Sequence, residues 1–408
     1  MSAAEPERPG GDVETTAEAV NRPAALRRAM GWIELLSSEV GPRRPTGRGE
    51  RLAAELMREE LRSAGLEATI ERFQGYSSFA WPYGAVLALG VLPEALPVGW
   101  RGLRSAIAAA AAIGVATEGS LRVTPLSAAL SRRPSQNLVA TIEPEGDVER
   151  TLCLMAHMDS SRSGLMFHPA LVRFLGGWIS AQTIAVLAQA AEPFAGRRPA
   201  GRAALRASRA LLAAGLLLLV EREVRGQDVA GANDNASGLA VVAQLAAERA
   251  AAPLRHTRLV LLLTGCEEAG TLGARAFLSS RDTSGWLFLN FDNVGGAATL
   301  RYLRREGVIA RFRADPALIA AAERVAIGRM DLGLEPTDSP AGLTYDTSPV
   351  LARGGRGLTL SAQDGYIPNL HWPTDTFENV DGAAVDRALE AGRELIAAVD
   401  RGEADGDG

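Results

Sequence analysis

Residues 258–279 read RLVLLLTGCEEAGTLGARAFLS: an unbroken apolar run, a glycine turn carrying two adjacent glutamates, and then a helical stretch. A run with no polar alternation suits a strand buried on both faces, and a strand delivered straight into a helix is the repeating step of a helix-covered sheet. The step recurs. Short apolar runs bounded by turn residues lie at Asn137 to Ile142, Thr151 to Ala156, Arg258 to Thr264, Trp286 to Phe291 and Gly357 to Leu360. Helical stretches lie between or after them at Gly238 to Ala250, Ala269 to Ser279, Pro316 to Gly328 and Ala383 to Val399. This alternation predicts an α/β fold with a mixed, mostly parallel central sheet and helices on both faces.

Working outward, Pro23 to Ala64 is helical in pattern, with Leu52, Leu56 and Leu61 expected on one apolar face and Gly65 as the stop. Two inserts interrupt the plan, at about 79–133 and 167–229, and each holds a pair of apolar segments. The four runs are Phe79 to Leu92, Ser105 to Ala116, Phe174 to Ala191 and Ala210 to Val220, of which the third comes nearest to the roughly 20 residues that cross a bilayer. Arg101 and Arg104 separate one pair, and Arg197, Arg198, Arg202, Arg206 and Arg209 the other. The reading is two helical hairpins with basic tips, forming either a subdomain packed on the catalytic body or a second protomer, or a membrane face. The second hairpin begins just after Asp159 and ends just before Asp234, so it is placed to roof whatever those residues build. Residues 1–20 and 401–408 are expected as disordered tails of one domain spanning 21–400.

Composition narrows the chemistry. The chain has 408 residues, 47% hydrophobic, enough for a large core, and its net charge of -5 gives no footprint for a phosphate backbone. Nucleic acid is not an expected partner. All 43 basic residues are arginine, which removes Schiff-base, pyridoxal phosphate and phosphate-loop lysine mechanisms. Cys153 and Cys266 sit in apolar runs without a partner at ligand spacing and read as buried thiols. The acidic first 20 residues lack an apolar run, so the default location is cytoplasmic, with membrane association and homo-oligomerisation left open.

Five short motifs carry chemistry. LMAHMDS puts His157 and Asp159 at a strand end, where ligands collect in open α/β sheets. GANDNASG sets Asp234 in a turn before a helix; by itself it reads equally as an Asx turn with a helix cap. Glu267 and Glu268 end an apolar strand, where two carboxylates repel unless cations neutralise them or water solvates a first helical turn. Asp292 ends the strand LFLNFDNVGG, and His371 lies in the loop NLHWPTDTFENV. His168 and His256 lack neighbours at ligand spacing and are read as non-ligands.

Taken in order, these motifs resemble metallopeptidase family 28, the co-catalytic zinc peptidases that include aminopeptidases, glutamate carboxypeptidases and glutaminyl cyclases. The resemblance covers Gln136 to Asp159 and Val229 to the C-terminal helix, without the hairpins. It implies two Zn²⁺ ions, one on His157 and Asp292, the other on Glu268 and His371, with Asp234 bridging. It also implies that Asp159 orients His157, that Glu267 is the general base, that the Asp234–Asn235 peptide is cis, and that Asp346 shapes the substrate pocket. The activity expected is an exopeptidase acting on peptides, an aminopeptidase first; carboxypeptidase or cyclase-like chemistry, or a silent membrane or interaction module, are the alternatives.

Overall fold

The computed structural model describes residues 14–97, 99–340 and 342–405, with side chains from residue 22 onward. Helices α1 (Glu14–Glu34) and α2 (Arg48–Ser63) precede strand β1 (Ala68–Gly75). Three helices, α3 (Ala80–Val91), α4 (Arg101–Ser120) and α5 (Pro125–Leu130), lead to β2 (Arg133–Ile142) and β3 (Arg150–His157). A second excursion holds α6 (Leu175–Gln189), α7 (Glu192–Ala195) and α8 (Pro199–Arg225). Then come α9 (Gly238–Ala251), β4 (Thr257–Thr264), α10 (Leu272–Ser279), β5 (Leu287–Phe291), β6 (Leu300–Glu306) and β7 (Phe312–Arg313). The chain closes with α11 (Pro316–Gly328), β8 (Glu335–Asp338), α12 (Ser348–Ala352), β9 (Arg356–Ala362) and α13 (Gly382–Asp400).

Among the described residues the strands form one nine-stranded sheet in the order β1-β2-β4-β3-β5-β9-β6-β7, with β8 pairing β6. The central strands β4, β3, β5 and β9 are mutually parallel, and antiparallel pairs flank them on both sides. This is the mixed α/β sheet read from the alternation. Along β3, Leu152, Leu154 and Ala156 enter the main core beneath α1, α9 and α13, while Cys153 and Met155 enter a second core on the opposite face with Phe277 and Val350. Both faces are covered, which is why the run carries no polar alternation.

Three expectations are corrected. In α2 the core face is Ala53, Ala54, Met57 and Leu61, whereas Leu52 is exposed; Ala53, Met57 and Leu61 hold an i, i+4 and i+8 spacing that Leu52 breaks. The predicted C-terminal tail is packed as far as Asp405: Ala404 is buried in the main core, its carbonyl accepts from Arg356 Nη2 at 2.5 Å, and Asp405 pairs with Arg150. Residues 406–408 and 1–13 lie outside the described residues, and 14–20 open α1. Finally, among the described residues α8, rather than the run 174–191, is the helix that by length and composition could cross a bilayer, because α6 stops at Gln189 ahead of Glu192-Pro193 while α8 continues unbroken for 27 residues.

Helices α3, α4, α6 and α8, from the two inserts, pack on one another around their own apolar cluster, which includes Val86, Leu87, Val115, Val186 and Leu219. A smaller cluster of Phe167, Leu175, Ile179, Ile367 and Leu370 joins this helical group to the loop bearing His371.

Candidate metal centre

Because β4, β3 and β5 run parallel, their C-terminal ends share one edge of the sheet, and each carries a candidate group to it: His157 at the end of β3, Glu267 and Glu268 beyond β4, and Asp292 beyond β5. Asp234 arrives from the turn that opens α9, and His371 from the loop after β9. The six side chains meet. His157 Nε2 lies 3.2 Å from Asp234 Oδ1, 3.7 Å from Asp292 Oδ2 and 4.0 Å from Glu267 Oε2. His371 Nε2 lies 3.2 Å from Asp234 Oδ2 and 3.0 Å from Glu268 Oε2. Two trios with ligand atoms within 4.8 Å result, His157 with Asp234 and Asp292, and Asp234 with Glu268 and His371. Asp234 belongs to both, one oxygen facing each imidazole.

Local folding explains how Asp234 is aimed. The Asp375 carboxylate accepts from Asn233 N at 2.7 Å and from Asp234 N at 3.1 Å, pinning the turn from outside. Asn235 Nδ2 donates to Phe291 O, and its Oδ1 accepts from Gly238 N. Gly238 has to be glycine here, since a Cβ would sit 2.2 Å from Phe291 O. The Asp234–Asn235 peptide is cis. Asn293 Nδ2 donates to Asp292 Oδ1 at 2.7 Å and orients the last carboxylate.

Asp159 acts differently from the expectation. Its backbone oxygen, 3.0 Å from His157 Nδ1, is what holds the ring, while its carboxylate accepts from Glu267 N and Glu268 N at 3.0 Å each. The carboxylate therefore shapes the two-glutamate turn, because two backbone N–H groups outcompete a ring nitrogen 3.7 Å away. Asp346 is also corrected. It is fully buried under the end of β4, bonded to the Thr264 hydroxyl, and its neighbour Tyr345 is the residue that lines the cavity. His168 packs edge-on against Trp372, and His256 lies 3.7 Å from Glu149, both away from the two trios.

Three supporting residues were missed. Arg43, fully buried, donates to the carbonyls of Met158, Leu36, Gly41, Ala230 and Gly231, tying the strand-end loop to the Asp234 turn. Burial draws its pKa down to about 10, against the pull of the nearby carboxylates. Glu50, from α2, accepts from Cys266 N at 2.8 Å, and burial lifts its carboxyl to about 8. Asp375 is the third. Nothing in a lone loop arginine or Asx-type aspartate marks such roles in advance.

The electrostatics describe a site built for cations. Burial pushes Glu267 well above the carboxylate range and Asp292 up to about 8. Burial opposes charge on both histidines as well, yet the hydrogen bond to Asp234 with the surrounding carboxylates raises His157 well above its ordinary value, and Glu268 with Asp234 raises His371 to about 9. Buried carboxylates and imidazoles this close together call for positive charge between them. Glu267 Oε1, Glu268 Oε1 and His371 Nδ1 are buried without a hydrogen-bond partner. Two imidazoles and three carboxylates, split into trios sharing one aspartate, form a donor set that fits a pair of zinc ions. The centre opens onto an apolar cavity of about 190 Å³ lined by residues of both inserts, including Phe79, Phe167 and Ile179.

Residues 218–396 match the sequence profile of peptidase family M28. The matched span holds Asp234, Glu267, Glu268, Asp292 and His371; the fold brings His157 to them from outside it. No curated protein matches in sequence. Among solved structures, a zinc aminopeptidase from Bacillus subtilis is similar at a TM-score of 0.55 and 14% identity, over 92% of this chain and 95% of that one. An aminopeptidase from Aneurinibacillus sp. strain AM-1 gives 0.55 and 14% over 91% and 93%. A glutaminyl cyclase from Porphyromonas gingivalis gives 0.55 and 14% over 91% and 97%. At these identities the likeness shows the fold.

Proposed function

We propose that this chain, with peptidase family M28 matched over residues 218–396, is a zinc-dependent hydrolase of peptide bonds and, more narrowly, an aminopeptidase. The observation that carries the proposal is Asp234, whose two carboxylate oxygens each lie 3.2 Å from a different buried imidazole. His157 and Asp292 would hold one zinc, Glu268 and His371 the other, with Asp234 between them. Zinc held there would supply Lewis acidity toward the scissile carbonyl and toward water.

The chain's own contribution is proton handling and placement. Glu267 has its Oε2 near His157 and its Oε1 buried without a partner, so one oxygen is free to take the proton of the attacking water and pass it to the leaving nitrogen. Burial raises its proton affinity, which suits a group that must accept a proton and give it up. The support for an aminopeptidase over a carboxypeptidase is the likeness to solved structures described as aminopeptidases. Cyclisation of N-terminal glutamine is the second reading, because the cyclase likeness is as strong as the aminopeptidase likeness.

The test is metal analysis of the purified protein with a panel of aminoacyl, N-blocked, C-terminal and glutaminyl reporters, alongside Glu267→Gln. Two zincs per chain, release from free N-termini, and a loss of roughly 10²- to 10⁴-fold in kcat for Glu267→Gln at unchanged metal content are expected. Near-normal turnover by Glu267→Gln would overturn the role of Glu267, and ammonia release from glutaminyl substrates alone would replace the aminopeptidase by a cyclase.

A further inference from the structure

The cavity continues past the metal centre into the helical insert. Helix α6 contributes Leu175, Ile179, Gln182 and Val186 to its wall, one face over three turns, or about 16 Å along the axis. Opposite them stand Leu87 of α3, Val115 of α4 and Leu219 of α8. Several of these wall residues also belong to the insert's own apolar cluster, so the cavity reaches between the four helices. Beyond Leu87 and Gly215 the wall between α3 and α8 narrows. There α3 approaches α8 so closely that a Cβ on Gly90 would lie 2.5 Å from Leu212 Cδ1. At the near end Phe167 and Leu370 line the cavity beside His371, the Phe167 and His371 ring centroids lying 4.3 Å apart.

Interiors of helical clusters normally close on themselves at crystal-like density, and a void forfeits dispersion contacts along its whole lining. Such a void with apolar walls and a few polar atoms is the form of a ligand site. We propose that the chamber binds a long, unbranched apolar chain attached to the scissile amide of the substrate, so that the inserts select substrates by chain length. A chamber that runs along one face of α6 for three turns suits a linear chain better than a folded or branched one. Gln182 Nε2, buried without a hydrogen-bond partner in the wall, leaves a place for one oxygen on that chain. Gln182 is fixed there by Gly215, where a Cβ would fall 1.6 Å from its Nε2. The proposal rests on the peptidase reading for the position of the scissile bond.

The chain can come from an apolar amino-acid side chain or from a fatty acyl group, and two substrate series separate these sources. With zinc-loaded full-length protein, kcat/KM is measured for aminoacyl anilides bearing linear side chains of increasing length, and for N-acyl amino acids from acetyl to dodecanoyl. In one series kcat/KM should climb by about three- to fourfold per methylene until the chamber is full. The rising series identifies the source. Val186→Trp, which fills the chamber midway, should lower the ratio of long-chain to short-chain kcat/KM at least tenfold, and Val115→Phe serves if that variant fails to fold. Cleavage of short substrates with no rise in either series overturns the chamber proposal and leaves the peptidase standing. If nothing is cleaved, the peptidase reading fails, and decanoic acid binding decides the chamber by quenching of tryptophan fluorescence, since Trp178 lines the cavity. Saturable quenching weakened tenfold in Val115→Phe, which adds no tryptophan to the cavity, supports it; absence of saturable quenching overturns it.

Discussion

Asp375 touches neither imidazole, yet both backbone N–H groups of the Asp234 turn end on its carboxylate. Replacing it by Asn removes one acceptor oxygen and lets the turn rotate, so Asp375→Asn is expected to weaken zinc binding by about 10- to 100-fold. A chelator-competition titration measures this, and unchanged affinity would show that the turn holds itself. Arg43→Met strands five carbonyls that the guanidinium now satisfies, and a loss of at least about 3 kcal/mol in denaturant unfolding is expected. Unfolding within 1 kcal/mol of wild type would mean that water takes over those carbonyls. These two residues also mark the limit of what the sequence discloses. His157, Asp234, Glu267, Glu268, Asp292 and His371 stand at strand ends and glycine turns in a recognisable order, and that order points to one place. Arg43 and Asp375 sit in GPRRP and WPTDTF, segments indistinguishable from surface loops, because their partners are backbone atoms far away in the chain. Asp159 was legible as a member of the site, but which of its atoms faces His157 is decided by the geometry of the neighbouring turn.

At the scale of elements, the strands covered on both faces announce themselves as apolar runs, and β2, β3, β4, β5 and β9 were all visible within a few residues. The others are disguised. In β1 the sequence ATIERFQG mixes charge into a strand that forms the sheet edge. In β6, LRYLRRE carries arginines that pair outside the strand, Arg301 with Glu335 and Asp364, and Arg304 with Asp338. The strand β8, Glu335–Asp338, contains a proline and pairs only β6. The hairpin tips hide a further device. Arg209, almost fully buried, bonds Glu94, Glu192 and Gln189, while Arg104 also bonds Glu192, so one ion cluster locks α4, α7 and α8 together. Burial opposes ionisation of Glu192, but the hydrogen bonds from Arg209 and Arg104 outweigh it and hold its carboxyl below the ordinary 4.5. A carboxyl depressed in the folded state contributes stability above its unfolded pKa and loses that contribution as pH falls through the folded value. Glu192→Gln should therefore cost about 1–3 kcal/mol at pH 7, with the gap to wild type closing below pH 4.5. A gap independent of pH would assign the effect to packing alone.

For the whole molecule, the four-helix group presents one end to the outside with two kinds of residue side by side. Trp100, Leu103 and Phe194 are 56%, 46% and 77% exposed, and exposed Arg101, Arg197, Arg198, Arg202 and Arg206 lie near them along the chain. The ion cluster on Arg209 brings both hairpin tips to this end. Water solvates such apolar side chains poorly, and a chain of net charge -5 that gathers five exposed arginines at one tip separates its charge in space. An anionic lipid surface answers both features, since it takes aromatic and aliphatic side chains into the headgroup boundary and attracts each nearby arginine by about 1 kcal/mol. The expected outcome is flotation with vesicles containing phosphatidylserine, weak flotation with phosphatidylcholine alone, and release as salt rises past a few tenths molar, where the Debye length falls below about 8 Å. Phe194→Glu should reduce flotation without altering the metal content, because the residue stands at the opposite end of the insert from His371. Flotation equal on neutral and anionic vesicles would shift the interaction to the apolar outer faces around Ile184 and Leu217, which are 67% and 68% exposed. Flotation on neither would leave the tip as a solvent-exposed end and detach the insert's role from membranes, leaving it to the cavity it encloses.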